Sequence, residues 1–202
     1  MDESAAAGVR PLVVKVGGSL AETGRMASVL ATIVSAKIPV VIVPGGGPFA
    51  DAIRALQPTM GYDDGTAHRL AMLAMRQMAE FMSAQQERLR IVETLEDMSF
   101  AFRQSQVPVW APLRMISVDE SIAANWDATS DSLAARLAEL LGARLLLLKS
   151  VDVDKAESID ALAGRGVVDS VLPSIVARGC LSWSIFGPSD DARLRAILNG
   201  EG

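Results

Sequence analysis

Leu12-Val13-Val14-Lys15-Val16-Gly17-Gly18-Ser19 is the stretch whose reading decides the fold. Residues 12–16 are apolar and mostly β-branched apart from one lysine, and two glycines stop the run. A strand that is apolar on both faces has to be covered on both, which places it in a parallel sheet between two layers of helices. The flanking sequence agrees. Residues 23–36 carry Met26, Val29, Leu30, Ile33 and Val34 at helical spacing. Pro39-Val40-Val41-Ile42-Val43 reads as a second buried strand, broken by Pro44-Gly45-Gly46-Gly47-Pro48, and a helix follows over 49–56.

Further along, one long helix is predicted over 63–88. Met72, Met75, Met78 and Met82 recur along it at helical intervals, as a core or subunit-contact stripe. A short helix over 94–104 and a strand over 107–110 come next. An Ala- and Leu-rich helix is expected over 129–141, with Thr129 as N-cap, then a Leu-rich strand over 143–149. A helix over 168–177, a strand over 181–186 and a helix over 190–198 complete the chain. Strands alternate with helices throughout, with no repeat, low-complexity tract or linker. The predicted architecture is α/β: a three-layer α/β/α sandwich with a mostly parallel central sheet. Residues 11–202 form a single domain, and small, polar residues 1–10 a flexible N-terminal arm.

Composition narrows the function. The chain has 202 residues, half of them hydrophobic, and a net charge of -5, which argues against a partner bound through a nucleic-acid backbone. The single cysteine, Cys180, cannot form an internal disulfide and reads as a buried structural thiol. The acidic start Met1-Asp2-Glu3-Ser4 is unlike a signal peptide, and no apolar run is long enough to span a bilayer, so a cytoplasmic location with no membrane partner is expected. Among 19 basic residues only Lys15, Lys37, Lys149 and Lys155 are lysine, so each lysine calls for inspection.

Three segments carry the candidate chemistry. In Lys15-Val16-Gly17-Gly18-Ser19, a lysine near a strand end precedes two glycines and a hydroxyl. This is either an ordinary tight turn or a loop whose N–H groups approach an anion beside a mobile charge. Pro44-Gly45-Gly46-Gly47 repeats the arrangement at the next strand end and leads into a helix. Three successive glycines cost more backbone entropy than a turn requires, and N–H groups beside a helix start suit an anion. Neither segment is a Walker A loop or a Rossmann fingerprint. The third segment is Asn125-Trp126-Asp127-Ala128-Thr129-Ser130-Asp131. There Asp131 is either a favourable charge on the helix dipole or an anchor for a lysine ammonium or a magnesium-bound phosphate.

Taken in order, Lys-x-Gly-Gly-Ser, Pro-Gly-Gly-Gly, Thr129-Ser130-Asp131-Ser132 and the Leu-rich strand ending in Val151-Asp152-Val153-Asp154 resemble the amino acid kinase superfamily over nearly the whole chain. Within it, four segments look like the small archaeal aminomethylfuran-methanol phosphate kinases of methanofuran synthesis. They are Ala67-His68-Arg69-Leu70-Ala71, Trp126-Asp127-Ala128-Thr129-Ser130-Asp131-Ser132, Gly166-Val167-Val168-Asp169 and residues 192–200. A bacterial methylofuran pathway would need the same step.

The resemblance implies in-line transfer of the ATP γ-phosphoryl group to a small phosphate-bearing acceptor, with little covalent help from the protein. By carry-over, Lys15 and Asp131 are catalytic, Lys15 neutralising the transferring group and Asp131 holding Lys15. Gly17, Gly18, Ser19, Gly45, Gly46 and Gly47 form the phosphate-binding loops. His68, either a partly buried structural residue or a donor to the acceptor phosphate, is assigned to the acceptor. Ser130, Lys149, Asp152 and Asp154 lie on the nucleotide side. Mg2+ arrives with ATP, ligated mostly by phosphate and water, with no protein metal site. Self-association into a homo-oligomer is also implied.

The sequence departs from the family in one region. Where the family has Thr-Asp-x-Asp-Gly, this chain has Ser150-Val151-Asp152-Val153-Asp154-Lys155, and only residues 156–165 separate it from Gly166. The family loop that often brings a second catalytic lysine is shortened, leaving Lys149 or Lys155 as substitutes. Three readings therefore stand: an active kinase, a non-catalytic relative that binds a nucleotide or intermediate, and an assembly or storage subunit, which an exposed methionine stripe would favour.

Overall fold

The computed structural model describes residues 10–201; the arm expected over 1–10 lies, apart from Arg10, outside the described residues. Six strands form one sheet in the order β3-β4-β2-β1-β5-β6: β1 Leu12–Val16, β2 Val40–Pro44, β3 Leu89–Val92, β4 Val107–Trp110, β5 Arg144–Leu148 and β6 Trp183–Phe186. Each pairing between neighbours is parallel. The first four strands build the sheet to one side of β1, and the chain then returns to place β5 on the other side. Ligands of open α/β sheets sit at such a reversal, outside the carboxyl ends of the strands.

Helices cover both faces. Val14, Val16, Leu146 and Leu148 point to the face packed by α1 (Met26–Val34) and α9 (Asp191–Leu198). Val13, Leu145 and Leu147 point to the opposite face, packed by α6 (Ser130–Leu141) and α8 (Leu172–Arg178). Helices α2 (Gly47–Met60) and α3 (Asp64–Ser83) pair with each other, and α3 reaches both cores, with Met72 and Met75 in one and Met78 and Met82 in the other. All four methionines are buried, so the stripe is core, and the exposed stripe that would have favoured an assembly subunit is not found.

Several boundaries differ from expectation. The helix predicted over 63–88 stops at Ser83, and β3 follows as an edge strand. Gln85-Gln86-Glu87-Arg88 contains no glycine or proline to announce the stop, and Arg90 is exposed within the strand, so no continuous apolar run marks it. Two short helices, α5 (Leu113–Ile116) and α7 (Ile159–Gly164), were not predicted, because one or two turns carry too little periodicity. Helix α4 (Leu95–Arg103) lies where a short helix is expected, and a capping box made by Thr94 and Asp97 starts it. Cys180 is exposed, contrary to expectation: it sits at φ 45° in the turn from α8 to β6.

Candidate active site

Strand alternation builds the floor of the site. Lys15 lies opposite Leu147 in the β1–β5 register and shares the sheet face of Val13. Lys149, two residues beyond Leu147, falls on the same face just past the end of β5. Helix α6 packs against that face and brings Asp131, in its first turn, between the two ammoniums. Asp131 Oδ1 is 3.0 Å from Lys15 Nζ, and Lys149 Nζ donates to Asp131 Oδ2 at 2.8 Å. The cluster is almost sealed from solvent, with the Asp131 side chain 6% exposed and those of Lys15 and Lys149 8% and 13%. The two readings of Asp131 are thus resolved, since its carboxylate is an ion-pair anchor as well as a first-turn charge.

The electrostatics follow from burial. Burial works to raise the Asp131 carboxyl, but Lys15 and Lys149 outweigh it and hold the group below the ordinary carboxylate range. Lys149 is lowered to about 8, first by burial and then by repulsion from Lys15; Asp131 and Asp169 only partly offset this. Two cations thus share the one carboxylate that pairs with them directly, while Asp169 attracts Lys149 without an ion pair.

The two glycine loops form the adjoining wall, and they interlock. A Cβ on Gly18 would fall 2.3 Å from the backbone N and Cα of Gly47, and one on Gly45 would fall 2.6 Å from the N of Gly18. Gly47 also has φ +53°, open to few other residues. Not every glycine offers its N–H to a ligand. Gly17 N–H donates to the Leu148 carbonyl at 3.2 Å and Gly45 N–H to Val16 at 2.8 Å, so these two extend the sheet instead of cradling phosphate. The N–H groups of Gly18, Ser19, Gly46 and Gly47 have no hydrogen-bond partner among the described residues.

A cavity of about 620 Å³ opens above this floor. Of the residues predicted for the site, Lys15, Gly18, Ser19 and the three glycines 45–47 line it, as do His68, Ser130, Asp131 and Lys149. Gly17, Asp152 and Asp154 do not. Asp152 accepts from the N–H and hydroxyl of Ser189, at 2.9 and 2.8 Å, and Asp154 accepts from the N–H of Ala156. The segment after β5 is thereby tied to the turn after β6, and Lys155 is paired with Asp190 rather than turned into the cavity. Of the two lysines considered for a second cation, the fold delivers Lys149.

His68 stands on α3, 6% exposed, and its Nε2 has no hydrogen-bond partner among the described residues. Burial lowers its pKa, and the backbone of Asn125 works weakly the other way, so the free imidazole is held neutral. Also lining the cavity, the Arg54 guanidinium lies 4.3 Å above the Trp126 ring, whose Nε1–H donates to Gln57 at 2.6 Å. Arg54 was not anticipated from sequence, because one arginine on an exposed helix has no signature. Asp169 was also missed as a site residue. Its carboxylate accepts from the N–H groups of Thr129, Ser132 and Leu172, at 2.9, 2.9 and 3.0 Å, and from the Thr129 and Ser132 hydroxyls. Thr129 is at the N-cap position but does not cap with its own side chain; Asp169 does that for it and sets the start of α6 against α8. The Gly166-Val167-Val168-Asp169 segment was the only sequence signal.

The chain is 26% identical, over 94% of its length and 93% of the relative's, to the (5-(aminomethyl)furan-3-yl)methyl phosphate kinase of Methanocaldococcus jannaschii. In fold it is similar to uridylate kinase from Archaeoglobus fulgidus, with a TM-score of 0.67 at 17% identity over 92% of this chain and 94% of that one. It is also similar to UMP kinase from Ureaplasma parvum, with a TM-score of 0.62 at 15% identity over 90% and 91%. The amino acid kinase family profile matches residues 10–160, which include both glycine loops, Asp131 and Lys149, and the chain belongs to the amino acid kinase family.

Proposed function

We propose that this protein transfers the γ-phosphoryl group of ATP to a small acceptor that already carries a phosphate, with aminomethylfuran-methanol phosphate or a close analogue as the acceptor. The observation that carries this reading is the floor of the cavity: Asp131 between Lys15 and Lys149, beside free N–H groups from two interlocked loops. Such a floor is a preorganised receptor for the charge of a transferring phosphoryl group.

The acceptor class follows from proton bookkeeping. A phosphate oxygen is already ionised and attacks without a general base. Asp131, the carboxylate between the two lysines, is committed to both ammoniums and is not available as a base. His68 and Arg54, which line the same cavity, supply the second anion subsite that a phosphate-bearing acceptor requires. The relative in Methanocaldococcus jannaschii supports a furan-based acceptor through its name.

No group of three His, Cys, Asp or Glu residues that could hold a metal occurs among the described residues. The magnesium ion of this reading is held mainly by nucleotide phosphates, which it helps neutralise. We propose a cytoplasmic setting; among the described residues no helix is long and apolar enough to cross a membrane. Self-association is proposed through the outer face of α2 and α3, where Phe49, Leu56, Met60, Leu73 and Phe81 are exposed.

A non-catalytic binder is the second reading, favoured by the tying of Asp152 and Lys155 to the turn after β6. ADP release with ATP, magnesium and aminomethylfuran-methanol phosphate, against UMP as a competing acceptor, separates the two. Acceptor-dependent release that disappears in Lys15→Ala supports the kinase. ATP binding by calorimetry with no release for either acceptor overturns it in favour of a binder, and release with UMP alone overturns the furan assignment.

A further inference from the structure

We propose that Trp126 is a positioning residue for the acceptor, its ring holding the Arg54 guanidinium in place to receive the phosphate that the acceptor already carries. This deepens, and rests on, the kinase reading above, in which Arg54 and His68 form the acceptor's anion subsite.

Helix spacing supplies the grip on the ring. Arg54 and Gln57 are three residues apart on α2 and so share one face of it. From that face Arg54 reaches over the Trp126 ring, 4.3 Å from its centroid, and Gln57 Oε1 accepts from the indole Nε1–H at 2.6 Å. One helix thus holds the ring both on a face and at an edge. Gln57 is fixed in turn: its Nε2 donates to Asp64 Oδ1 at 2.8 Å and to the Tyr62 carbonyl at 3.3 Å. With both of its N–H donors taken, the amide turns its oxygen to the indole. Asp64 opens α3, the helix that carries His68.

The residue before Trp126 serves the other half of the subsite. The Asn125 backbone is a hydrogen-bond partner of the His68 ring, whose Nε2 stays open. Two successive residues, Asn125 and Trp126, therefore orient the two groups assigned to the acceptor phosphate. The same segment runs on to Thr129, where Asp169 fixes the start of α6.

Arg54 needs such a support. Its carboxylate neighbour is Asp51, one turn back at 3.6 Å, and the two side chains are 52% and 69% exposed. An exposed pair at that distance does little to hold a long side chain in one rotamer. A ring beneath the guanidinium does more, because the charge is attracted to the aromatic face. That attraction engages no oxygen acceptor, and among the described residues no N–H of Arg54 is hydrogen-bonded. The donors stay available for bidentate pairing with a phosphate. Arg54, Trp126 and His68 all line the cavity, so the supported group and its support face the same space.

The experiment is a double-mutant cycle on Arg54→Met and Trp126→Leu, with Trp126→Phe as the conservative variant. ADP release is followed while aminomethylfuran-methanol phosphate and ATP are varied in turn. Trp126→Leu should raise the acceptor KM about tenfold, with kcat and the KM for ATP within about threefold of wild type. Trp126→Phe, which keeps a ring without the N–H, should recover part of the loss. Because Trp126 acts through Arg54, the double variant should be no worse than Arg54→Met alone. An unchanged acceptor KM in Trp126→Leu, losses that add in the double variant, or a KM for ATP that rises as much as the acceptor's would overturn the role. Calorimetric binding of aminomethylfuran-methanol phosphate without ATP gives the same cycle free of turnover. If wild type binds it but releases no ADP, the kinase reading fails while the cycle in Kd still decides the role of Trp126; if wild type does not bind it, both fall. Thermal melting of each variant confirms that it is folded.

Discussion

Replacing Lys149 with methionine should make the protein more stable while disabling it. The folded state holds the Lys149 ammonium at a pKa of about 8, against an ordinary value of 10.5, because burial and Lys15 together outweigh the attraction of Asp131. That difference corresponds to about 3 kcal/mol of folding free energy, at about 1.4 kcal/mol per tenfold change in proton affinity. The attraction of Asp131 is already inside this figure, so removing the charge recovers at most about 3 kcal/mol, less what the buried Asp131 Oδ2 loses with its hydrogen bond from Lys149. Methionine keeps an unbranched chain of similar length and leaves no cavity. For a chain of this size the gain should appear as a rise in Tm near neutral pH of at most about 6–12 °C.

The pH dependence carries the sign. Between about 8 and 10.5 the unfolded chain binds the Lys149 proton and the folded chain does not. Stability therefore rises with pH through that window in wild type, and the rise is absent in Lys149→Met. Below about pH 8 the gap between the two proteins stays constant, and by about 10.5 it closes. Urea unfolding of both proteins at several pH values measures the difference curve, in which the titration of all other groups cancels. A Lys149→Met protein that is less stable than wild type near neutral pH, or pH curves that run parallel, would refute the reasoning. The cluster would then be a structural ion triad in which Lys149 is a net stabiliser.

Two further outcomes follow from the same geometry. Asp169→Ala removes the acceptor for three backbone N–H groups and two hydroxyls at the starts of α6 and α8, and should cost about 3 kcal/mol in urea unfolding and lower kcat by loosening the turn that carries Asp131, with Asp169→Asn recovering part of both. His68 is held neutral by burial, and an acceptor phosphate at Nε2 would favour its charged form; acceptor binding near neutral pH should take up a fraction of a proton, seen as dependence of the binding enthalpy on the buffer, and His68→Asn should abolish it.

The parts of this protein legible in the sequence share one property: each is set within a few residues. The apolar runs of β1, β2 and β4, the amphipathic faces of α1, α3 and α6, and the glycine loops all announce themselves locally, because burial on both faces demands continuous apolar strands and a helix buried on one face demands a period of 3.6, whereas the leucine run of β5 reads as a strand only from its neighbours. Asp131 and Lys15 could be singled out because a charge beside glycines or in a helix's first turn is locally conspicuous. Edge strand β3 was not legible, since an edge with an exposed Arg90 needs no apolar run.

Tertiary structure alone decided which of these groups meet. Only the parallel register of β1 with β5 shows that Lys15 and Lys149 share a sheet face, and only the packing of α6 on that face puts Asp131 between them. Position along the chain made Lys149 and Lys155 equal candidates for the second cation. The fold separated them by pairing Lys155 with Asp190 and leaving Lys149 in the cavity. Likewise the glycines that look alike in sequence divide into Gly17 and Gly45, whose N–H groups extend the sheet, and Gly18, Gly46 and Gly47, whose N–H groups remain open. Side-chain type and local pattern fix what a residue can do, whereas electrostatic work depends on distance and burial, and those are properties of the assembled sheet and helices.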